Sequence, residues 1–327
     1  MKKLALLIML VLTGCTPVNQ SANIKEDNFI KNNSKEIVGN INVELLKSDK
    51  DVLYFTDIKE NRIEKQNGVY VEVNAKQQIY KYENEKATAI IESSFSEGNI
   101  YEFYINGDKV IYADFNGQTS ESTIMIYDQE SMKKKSIVTI KQFLPSIYVY
   151  ESKVYYVEYK DEAEVIEYNL ETETKKTIYK QKNQHINITG FENNVCWYAD
   201  NTYFVYDNNT VKQVTPKYVN NSTPILFDGS IYCIEKNKDG NLLIMSYDLS
   251  HDSYKEYNFK MIENFCVSKD YIIVTYGSTV SFYNKNTSEM VKTYELNEIK
   301  HISVNEEKCL MAMVDNKYMF FDMAEIK

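Results

Sequence analysis

The sequence predicts an all-β fold, a seven-bladed β-propeller of four-stranded blades. Three observations lead to this prediction. An aromatic residue followed by an acid or amide ends a short apolar run seven times, at steps of 36 to 45 residues. Each repeat contains about four short apolar runs separated by polar turns. No segment shows the 3.6-residue periodicity of a long amphipathic helix. A period near 40 residues with about four strands is typical of a propeller blade.

The repeat is defined by two apolar runs in each unit. The marker pairs are Tyr82-Glu83, Tyr127-Asp128, Tyr168-Asn169, Tyr206-Asp207, Tyr247-Asp248, Tyr283-Asn284 and Phe321-Asp322. The preceding runs begin at Val69, Val110, Val154, Val195, Ile231, Tyr271 and Cys309. Asn, Asp and Gly before several of these runs favour hairpin turns. A β-sandwich or a β-solenoid is the alternative, but a sandwich lacks a sustained period and a β-helix has a shorter one.

The two ends of the chain predict how the ring closes. The last repeat stops at Lys327, directly after its third strand, so a fourth strand is missing. The run IVGNINVELL at residues 37–46 is a spare strand-like segment. We expect this N-terminal strand to complete the last blade, which gives a propeller domain over residues 37–327. The first repeat contains two strand-like runs, and the sequence does not decide which strand of the blade each of them forms.

The first 15 residues predict export and an anchor. Lys2 and Lys3 precede a short apolar run at residues 4–12, which is well below the ~20 residues that span a bilayer. Leu12-Thr13-Gly14-Cys15 resembles the bacterial lipobox, which implies a diacylglyceryl group on the Cys15 thiol and cleavage before it. The alternative is an ordinary signal peptide with a chance cysteine.

These features divide the N-terminal region into two parts. We expect a lipoprotein signal peptide at residues 1–14, and a lipidated Cys15 followed by a disordered, polar tether at residues 15–36. Stable anchoring takes about two acyl chains, which one diacylglyceryl group supplies. The expected location is the extracytoplasmic face of the cell membrane, which Cys15 contacts through its lipid. No later run is long enough for a second crossing.

Composition excludes some partners. The chain has 327 residues, a net charge of −10 and 28 tyrosines against one tryptophan. An acidic exported protein is a poor partner for nucleic acid, and tyrosine favours strands. Four further cysteines lie far apart in apolar runs, where we expect buried, unbridged thiols rather than disulfides. They are Cys196, Cys233, Cys266 and Cys309.

Short strings in the second strand carry a family resemblance. YFTD at 54–57, IYAD at 111–114 and WYAD at 197–200, with YYVE at 155–158 as a looser copy, resemble the Tyr-Trp-Thr-Asp repeat of low-density-lipoprotein-receptor-type propellers. A family of bacterial lipoproteins of unknown function carries degenerate copies of this repeat. The resemblance implies a propeller and a binding role. The receptor propellers usually have six blades, whereas seven repeats are counted here.

The sequence contains few residues that suggest a catalytic or metal-binding site. The sequence lacks the G-x-S-x-G, H-E-x-x-H and phosphate-loop patterns, and no cofactor is expected. His185 and His301 lie near the starts of two innermost strands, where they are weak candidates for a metal site at the channel mouth. Strand-end histidines are the simpler interpretation. Residues 237–241 (NKDGN) suggest a calcium loop or, more simply, a turn.

These observations predict a function by class only. We expect a monomeric, membrane-anchored extracytoplasmic lipoprotein that binds or scaffolds without catalysis, with a protein, peptide or glycan as ligand. Two alternatives stay open. One is a propeller enzyme that hydrolyses or eliminates glycans or peptides, which a cluster of histidines and carboxylates at a channel mouth would favour. The other is an accessory protein of envelope assembly or transport.

Overall fold

The computed structural model describes residues 34–36, 43–49, 52–57, 61–66, 69–74, 76–95, 98–141, 146–182, 186–259, 261–296, 299–304, 308–313, 317–322 and 326. All elements assigned in these ranges are β-strands. Within the same ranges, no helix has the length and apolar character needed to span a membrane. The all-β β-propeller prediction is therefore confirmed at the level of fold.

Six sheets have four strands each and are named blades 1 to 6 in chain order. Blade 1 contains Val43–Asp49 (β2), Val52–Asp57 (β3), Gln78–Glu83 (β6) and Lys86–Glu92 (β7), with Asn61–Gln66 (β4) and Val69–Asn74 (β5) inserted as a hairpin. Blade 2 contains Gly98–Asn106 (β8), Lys109–Asn116 (β9), Glu121–Asp128 (β10) and Lys133–Ile140 (β11). Blade 3 contains Ile147–Tyr150 (β12), Lys153–Tyr159 (β13), Ala163–Asn169 (β14) and Lys175–Gln181 (β15). Blade 4 contains Ile188–Phe191 (β16), Asn194–Ala199 (β17), Thr202–Asp207 (β18) and Thr210–Val214 (β19).

The remaining strands complete the ring. The five-stranded sheet contains Val219–Asn220 (β20), Ile225–Phe227 (β21), Ser230–Lys236 (β22), Leu242–Asp248 (β23) and Ser253–Tyr257 (β24). Blade 5 contains Asn264–Val267 (β25), Tyr271–Tyr276 (β26), Thr279–Asn284 (β27) and Met290–Glu295 (β28). Blade 6 contains Ile299–Val304 (β29), Lys308–Met313 (β30), Lys317–Asp322 (β31) and the N-terminal Ser34–Glu36 (β1). The innermost strands contact one another in the order β2, β8, β12, β16, β21, β25, β29 and back to β2.

The prediction of seven four-stranded blades is wrong. The structure has six four-stranded blades, and the repeat between blades 4 and 5 forms a five-stranded sheet instead. Its innermost strand is divided into β20 and β21, which both pair with β22. Residues 221–224 separate the two pieces and end in Pro224, which has no N–H to donate to a ladder. Sequence periodicity did not reveal this division.

The closing strand also differs from the prediction. β1 pairs antiparallel with β31, through Ser34 with Met319 and Glu36 with Lys317. The prediction places residues 37–46 here, but residues 43–49 form β2, the innermost strand of blade 1. A three-residue strand carries no period that sequence inspection could detect.

The first repeat is a further correction. Its second strand is β3, which pairs with β2 and β6. The run beginning at Val69 is β5, which pairs only with β4 among the described strands. The hairpin of β4 and β5 therefore extends the connection between the second and third strands of blade 1.

The aromatic-acid pairs end the third strand in every sheet of the ring. In four of the sheets the acid or amide, namely Asp128, Asn169, Asp248 or Asn284, closes the next turn by accepting backbone N–H groups. Asp128 accepts from Ser131, and Asn169 accepts from Glu171 and Thr172. Such side-chain turns are a known role of Asp and Asn. In these four sheets the recurring pair is explained by the turn that follows it.

Each sheet consists of strands A to D from the centre outward, so its turns lie on two faces. The A-to-B and C-to-D turns form the AB/CD face. The B-to-C turns and the D-to-A connections between sheets form the DA/BC face.

Hydrophobic clusters fill the spaces between neighbouring sheets. Between blades 3 and 4, Trp197 stacks on Phe204 with ring centroids 5.6 Å apart, and Tyr179 from blade 3 lies 5.1 Å from Trp197. Tyrosine thus packs one sheet on the next here. Cys196, Cys233 and Cys266 are buried and form no disulfide, as predicted; Cys309 lies in β30, and its thiol is not among the described side chains.

Candidate functional site

A carboxylate recurs at one position of the second strand. The reference point is the residue that pairs with the marker tyrosine: Leu53 with Tyr82, Val110 with Tyr127, Val154 with Tyr168, and Ile231 with Tyr247. Four residues further along, at the DA/BC end of the strand, the four sheets carry Asp57, Asp114, Glu158 and Glu235. Asp114 and Glu235 are fully buried, and Glu158 is 6% exposed. A buried carboxylate needs strong hydrogen bonds, so its partners show what each one does.

Asp114 holds the connection from blade 1 to blade 2. Its carboxylate accepts hydrogen bonds from the Ser93 hydroxyl at 2.5 Å and the Ser94 backbone N–H at 2.8 Å. Both serines follow β7 directly. The role of Asp114 is therefore structural.

Glu235 is surrounded by a larger network between blade 4 and the five-stranded sheet. Its Oε1 accepts hydrogen bonds from the hydroxyls of Tyr203 at 3.0 Å and Tyr247 at 2.8 Å. Its Oε2 accepts the Tyr218 backbone N–H at 2.8 Å. Burial is the main reason that the pKa values of both tyrosines lie far above their ordinary range. Both hydroxyls therefore stay protonated and keep donating.

A polar cavity lies beside this network on the DA/BC face. Its volume is about 250 Å³, and blade 4 and the β20–β21 connection form its walls. The lining residues are Asn187, Tyr198, Asn220, Asn221, Ser222, Thr223 and Pro224. None of them is charged, although charged residues make up 26% of the sequence.

The cavity wall is rigidly held. The Tyr203 hydroxyl, which bonds Glu235, also lies 3.0 Å from Asn220 Oδ1. The Asn221 N–H donates to the carbonyl of Ile234, and the Ser222 hydroxyl accepts the Ile234 N–H at 2.7 Å. These two bonds continue the contact with β22 across the gap between β20 and β21. Sites whose surroundings fix their geometry bind with a lower entropic cost.

The cavity also presents unused hydrogen-bonding groups. Among the described residues, the side chains of Asn187, Asn221 and Thr223 have no hydrogen-bond partner, and all three are exposed. Each amide offers a donor and an acceptor, and the hydroxyl offers both. The arrangement can bind a neutral polar ligand but includes no nucleophile with a base.

A second cavity of about 430 Å³ lies on the AB/CD face between blades 2 and 3. Its lining includes one lysine, Lys109, and five acidic residues, Asp108, Asp128, Glu130, Glu151 and Glu171. The described residues hold no group of three or more His, Cys, Asp or Glu placed to bind a metal ion. The five carboxylates outnumber the one lysine, so this cavity has a negative potential without a defined site.

The structure leaves most of the sequence-predicted site residues untested. Cys15 and His185 lie outside the described residues, and His301 is placed in β29 without a described side chain. Lipidation of Cys15 and the weak metal candidacy of the histidines stay predictions. Residues 237–241 form a tight turn, in which Asn237 Oδ1 accepts the N–H groups of Asp239 and Asn241.

One serine-histidine-aspartate group occurs on an exposed turn after β23. His251 Nδ1 lies 2.8 Å from the Ser250 hydroxyl and 2.9 Å from Asp248 Oδ2. A catalytic triad needs one ring nitrogen for the nucleophile and the other for the acid. Both contacts here use Nδ1, and the His251 side chain is 77% exposed. This geometry does not activate the serine.

Sequence reasoning missed the amide-lined cavity. Its walls come from the start of blade 4, the end of its second strand and the β20–β21 connection, which are separated by up to 37 residues. The run YVNNSTP at 218–224 was the available signal, since four polar residues there interrupt a strand-like segment before a proline.

Comparisons with known proteins bear on the fold. No protein-family model matches the sequence, and no curated protein does. Solved structures are similar. A chain of the mitotic checkpoint complex matches 99% of this chain and 99% of its own length, with a TM-score of 0.63 and 12% identity.

Two further structures are relevant to the alternatives. A prolyl endopeptidase matches 81% of this chain with a TM-score of 0.60 and 11% identity, and the match spans only 49% of that enzyme. BamB from Moraxella catarrhalis matches 89% of this chain and 98% of its own length, with a TM-score of 0.52 and 10% identity. Similarity at these identities shows a β-propeller and assigns no activity.

Proposed function

We propose that this chain is a membrane-anchored extracytoplasmic protein that binds its ligand without catalysis, and that the ligand docks on the DA/BC face. The observation that carries this proposal is the rigid, uncharged cavity beside the buried Glu235 network. Preformed cavities with a few convergent polar groups are the usual form of binding sites.

The direction of β1 supports the choice of face. β31 runs from the DA/BC face to the AB/CD face, and β1 is antiparallel to it. β1 therefore begins on the AB/CD side, where a tether from Cys15 would join it. The DA/BC face then points away from the point of attachment, which leaves the cavity open to a ligand.

The anchor is tested by fractionation. Cys15→Ser should move the protein from the membrane fraction to the medium or to an uncut precursor, because no other group carries acyl chains. Cys266→Ala is the matched control, since it removes a buried thiol and no anchor. Membrane retention of a normally processed Cys15→Ser protein would contradict the proposed anchor.

The binding face is tested by capture with the Cys15→Ser chain as bait in an envelope extract. Asn221→Arg places a large cation in the neutral cavity, and Asn286→Arg places the same cation on an exposed turn of the AB/CD face. Capture should be lost with Asn221→Arg and kept with Asn286→Arg. The reverse result would move the binding site to the other face.

A second candidate is an accessory protein of envelope assembly or transport. The fold similarity to BamB, which covers nearly all of that protein, favours it over other scaffolding roles. This candidate predicts that the captured ligand is a membrane protein of the envelope. Growth of a deletion strain in detergent measures envelope integrity, and unchanged growth would count against this candidate.

A further inference from the structure

We infer that the amide-lined cavity on the DA/BC face binds a neutral carbohydrate. This inference names the ligand class of the proposed binding site and rests on that proposal. Three properties of the cavity support it, namely the chemistry of the lining residues, the cavity size and the absence of charge among those residues.

The lining groups match sugar hydroxyls. A sugar hydroxyl donates one hydrogen bond and accepts others, and neighbouring hydroxyls alternate these roles. Asn187 and Asn221 each offer a carbonyl oxygen and two N–H donors at the cavity, and neither side chain is used within the described structure. An amide can therefore bond two adjacent hydroxyls at once.

An aromatic side chain completes the match. The ring of Tyr198 lines the same cavity, and its hydroxyl is held 3.0 Å from Asn201 Oδ1. A fixed tyrosine ring offers a flat apolar surface to the C–H groups of a sugar ring.

Size and charge distinguish a neutral sugar from other ligands. About 250 Å³ accommodates one sugar ring, with neighbouring units over the open rim. A charged ligand would lack a counter-ion among the seven lining residues. The overall net charge of −10 further disfavours anionic glycans such as uronates.

The wall that presents these amides cannot relax easily. The Tyr203 hydroxyl lies 3.0 Å from both Asn220 Oδ1 and Oε1 of the fully buried Glu235, and it donates its one hydrogen to one of these two oxygens at a time. Pro224 accepts a hydrogen bond from Thr189 of blade 4 through its carbonyl oxygen at 2.7 Å. The two sheets that form the cavity are thereby tied together at its rim, and the ligand meets a formed site.

The inference is tested by isothermal titration of the full-length Cys15→Ser chain. The probes are neutral hexasaccharides of α-linked glucose, β-linked glucose, mannose, galactose and N-acetylglucosamine, with heparin as the anionic comparison. At least one neutral hexasaccharide should bind, and heparin should not. The Asn187→Ala/Asn221→Ala double variant should weaken binding at least tenfold, whereas Asn286→Ala on the opposite face should leave it unchanged.

Asn221→Asp is the control that separates a loss of binding from a loss of folding, because it keeps the shape of the side chain and removes both N–H donors. It should weaken binding while the emission of the sole tryptophan, Trp197, stays unchanged. Binding of no hexasaccharide, or binding that the double variant does not affect, would overturn the inference. Capture of a protein that depends on Asn221 without any sugar binding would overturn the carbohydrate class and leave the proposed function standing.

Discussion

Asp114 and Asp200 end two copies of the same string, Tyr-Ala-Asp, yet they occupy different environments. Asp114 is fully buried and holds the connection from blade 1 to blade 2 through Ser93 and Ser94. Asp200 is exposed in the turn after β17. Exchange of each aspartate for asparagine therefore changes one oxygen to an amide nitrogen in two contrasting sites.

The expected loss of stability in Asp114→Asn follows from the hydrogen bonds that the carboxylate accepts. The carboxylate of Asp114 accepts two, and bonds to a charged group contribute about 1.5–3 kcal/mol each. In Asp114→Asn one oxygen still accepts, but the amide N–H₂ then faces the second donor. We expect a loss of about 2 kcal/mol in the free energy of unfolding, which corresponds to roughly 5 °C in Tm for a domain of this size. Asp200→Asn should change the free energy by less than about 0.5 kcal/mol.

Urea unfolding followed by the fluorescence of Trp197 measures both variants. This residue is fully buried and is the only tryptophan in the sequence, so its emission reports loss of the blade 3–blade 4 contact. Equal losses for the two variants, or a larger loss for Asp200→Asn, would refute the assignment of Asp114 as a structural link between blades.

The remaining predictions concern packing, pH and closure. Gly190→Ala should cost about 2 kcal/mol in calorimetry, because a Cβ there would lie 2.2 Å from the Tyr148 ring; a neutral result would contradict the close approach of β12 and β16 at this point. Burial raises the pKa of Glu158, but hydrogen bonds from Lys175 and Lys160 outweigh it and leave the pKa below its ordinary value. The ionised Glu158 carboxylate therefore stabilises the fold above its unfolded pKa of about 4.3, and this stabilisation is lost as pH falls through the lower folded pKa. Glu158→Gln should flatten the fall of Tm below about pH 4.5, and an unchanged profile of Tm against pH would refute this assignment. A chain that begins at residue 37 lacks β1 and should melt several degrees below one that begins at residue 34, because the edge of β31 is exposed; equal melting temperatures would show that β1 does not close the ring.

Sequence patterns predicted the parts of the fold that repeat. The aromatic-acid pairs located the third strand of every sheet in the ring, and in four of these sheets the same side-chain turn follows the pair. The preceding apolar runs located the second strands from Val110 onward. These positions were predictable because the same local structure recurs in each sheet.

Departures from the repeat could not be predicted in the same way. The hairpin of β4 and β5 alternates like any strand pair, so only its pairing partners show that it is an insertion. The division of the innermost strand into β20 and β21 depends on hydrogen bonds from Asn221 and Ser222 to Ile234. The polar run before Pro224 indicates an interruption, but only the pairing of both pieces with β22 shows that it divides one strand.

String similarity also proved an imperfect guide to equivalence. Counted from the residue paired with the marker tyrosine, Asp114 is the fourth residue after Val110, whereas Asp200 is the fifth after Val195. The position equivalent to Asp114 in blade 4 is Ala199. Conversely, Glu235 occupies the carboxylate position within IYCIE, which does not resemble the other strings. The register of the strands decides which carboxylates are buried.

Docking of the ligand on the DA/BC face is tested most directly by site-specific photo-crosslinking in intact cells. A photoreactive amino acid is placed at Thr223 beside the amide-lined cavity, and in a second strain at Thr172 on a turn of the AB/CD face. Both positions are exposed, so each can capture a neighbour without disturbing the core. We expect a specific adduct from Thr223 that disappears with Asn221→Arg, and no such adduct from Thr172. A specific adduct from Thr172 alone would contradict docking on the DA/BC face.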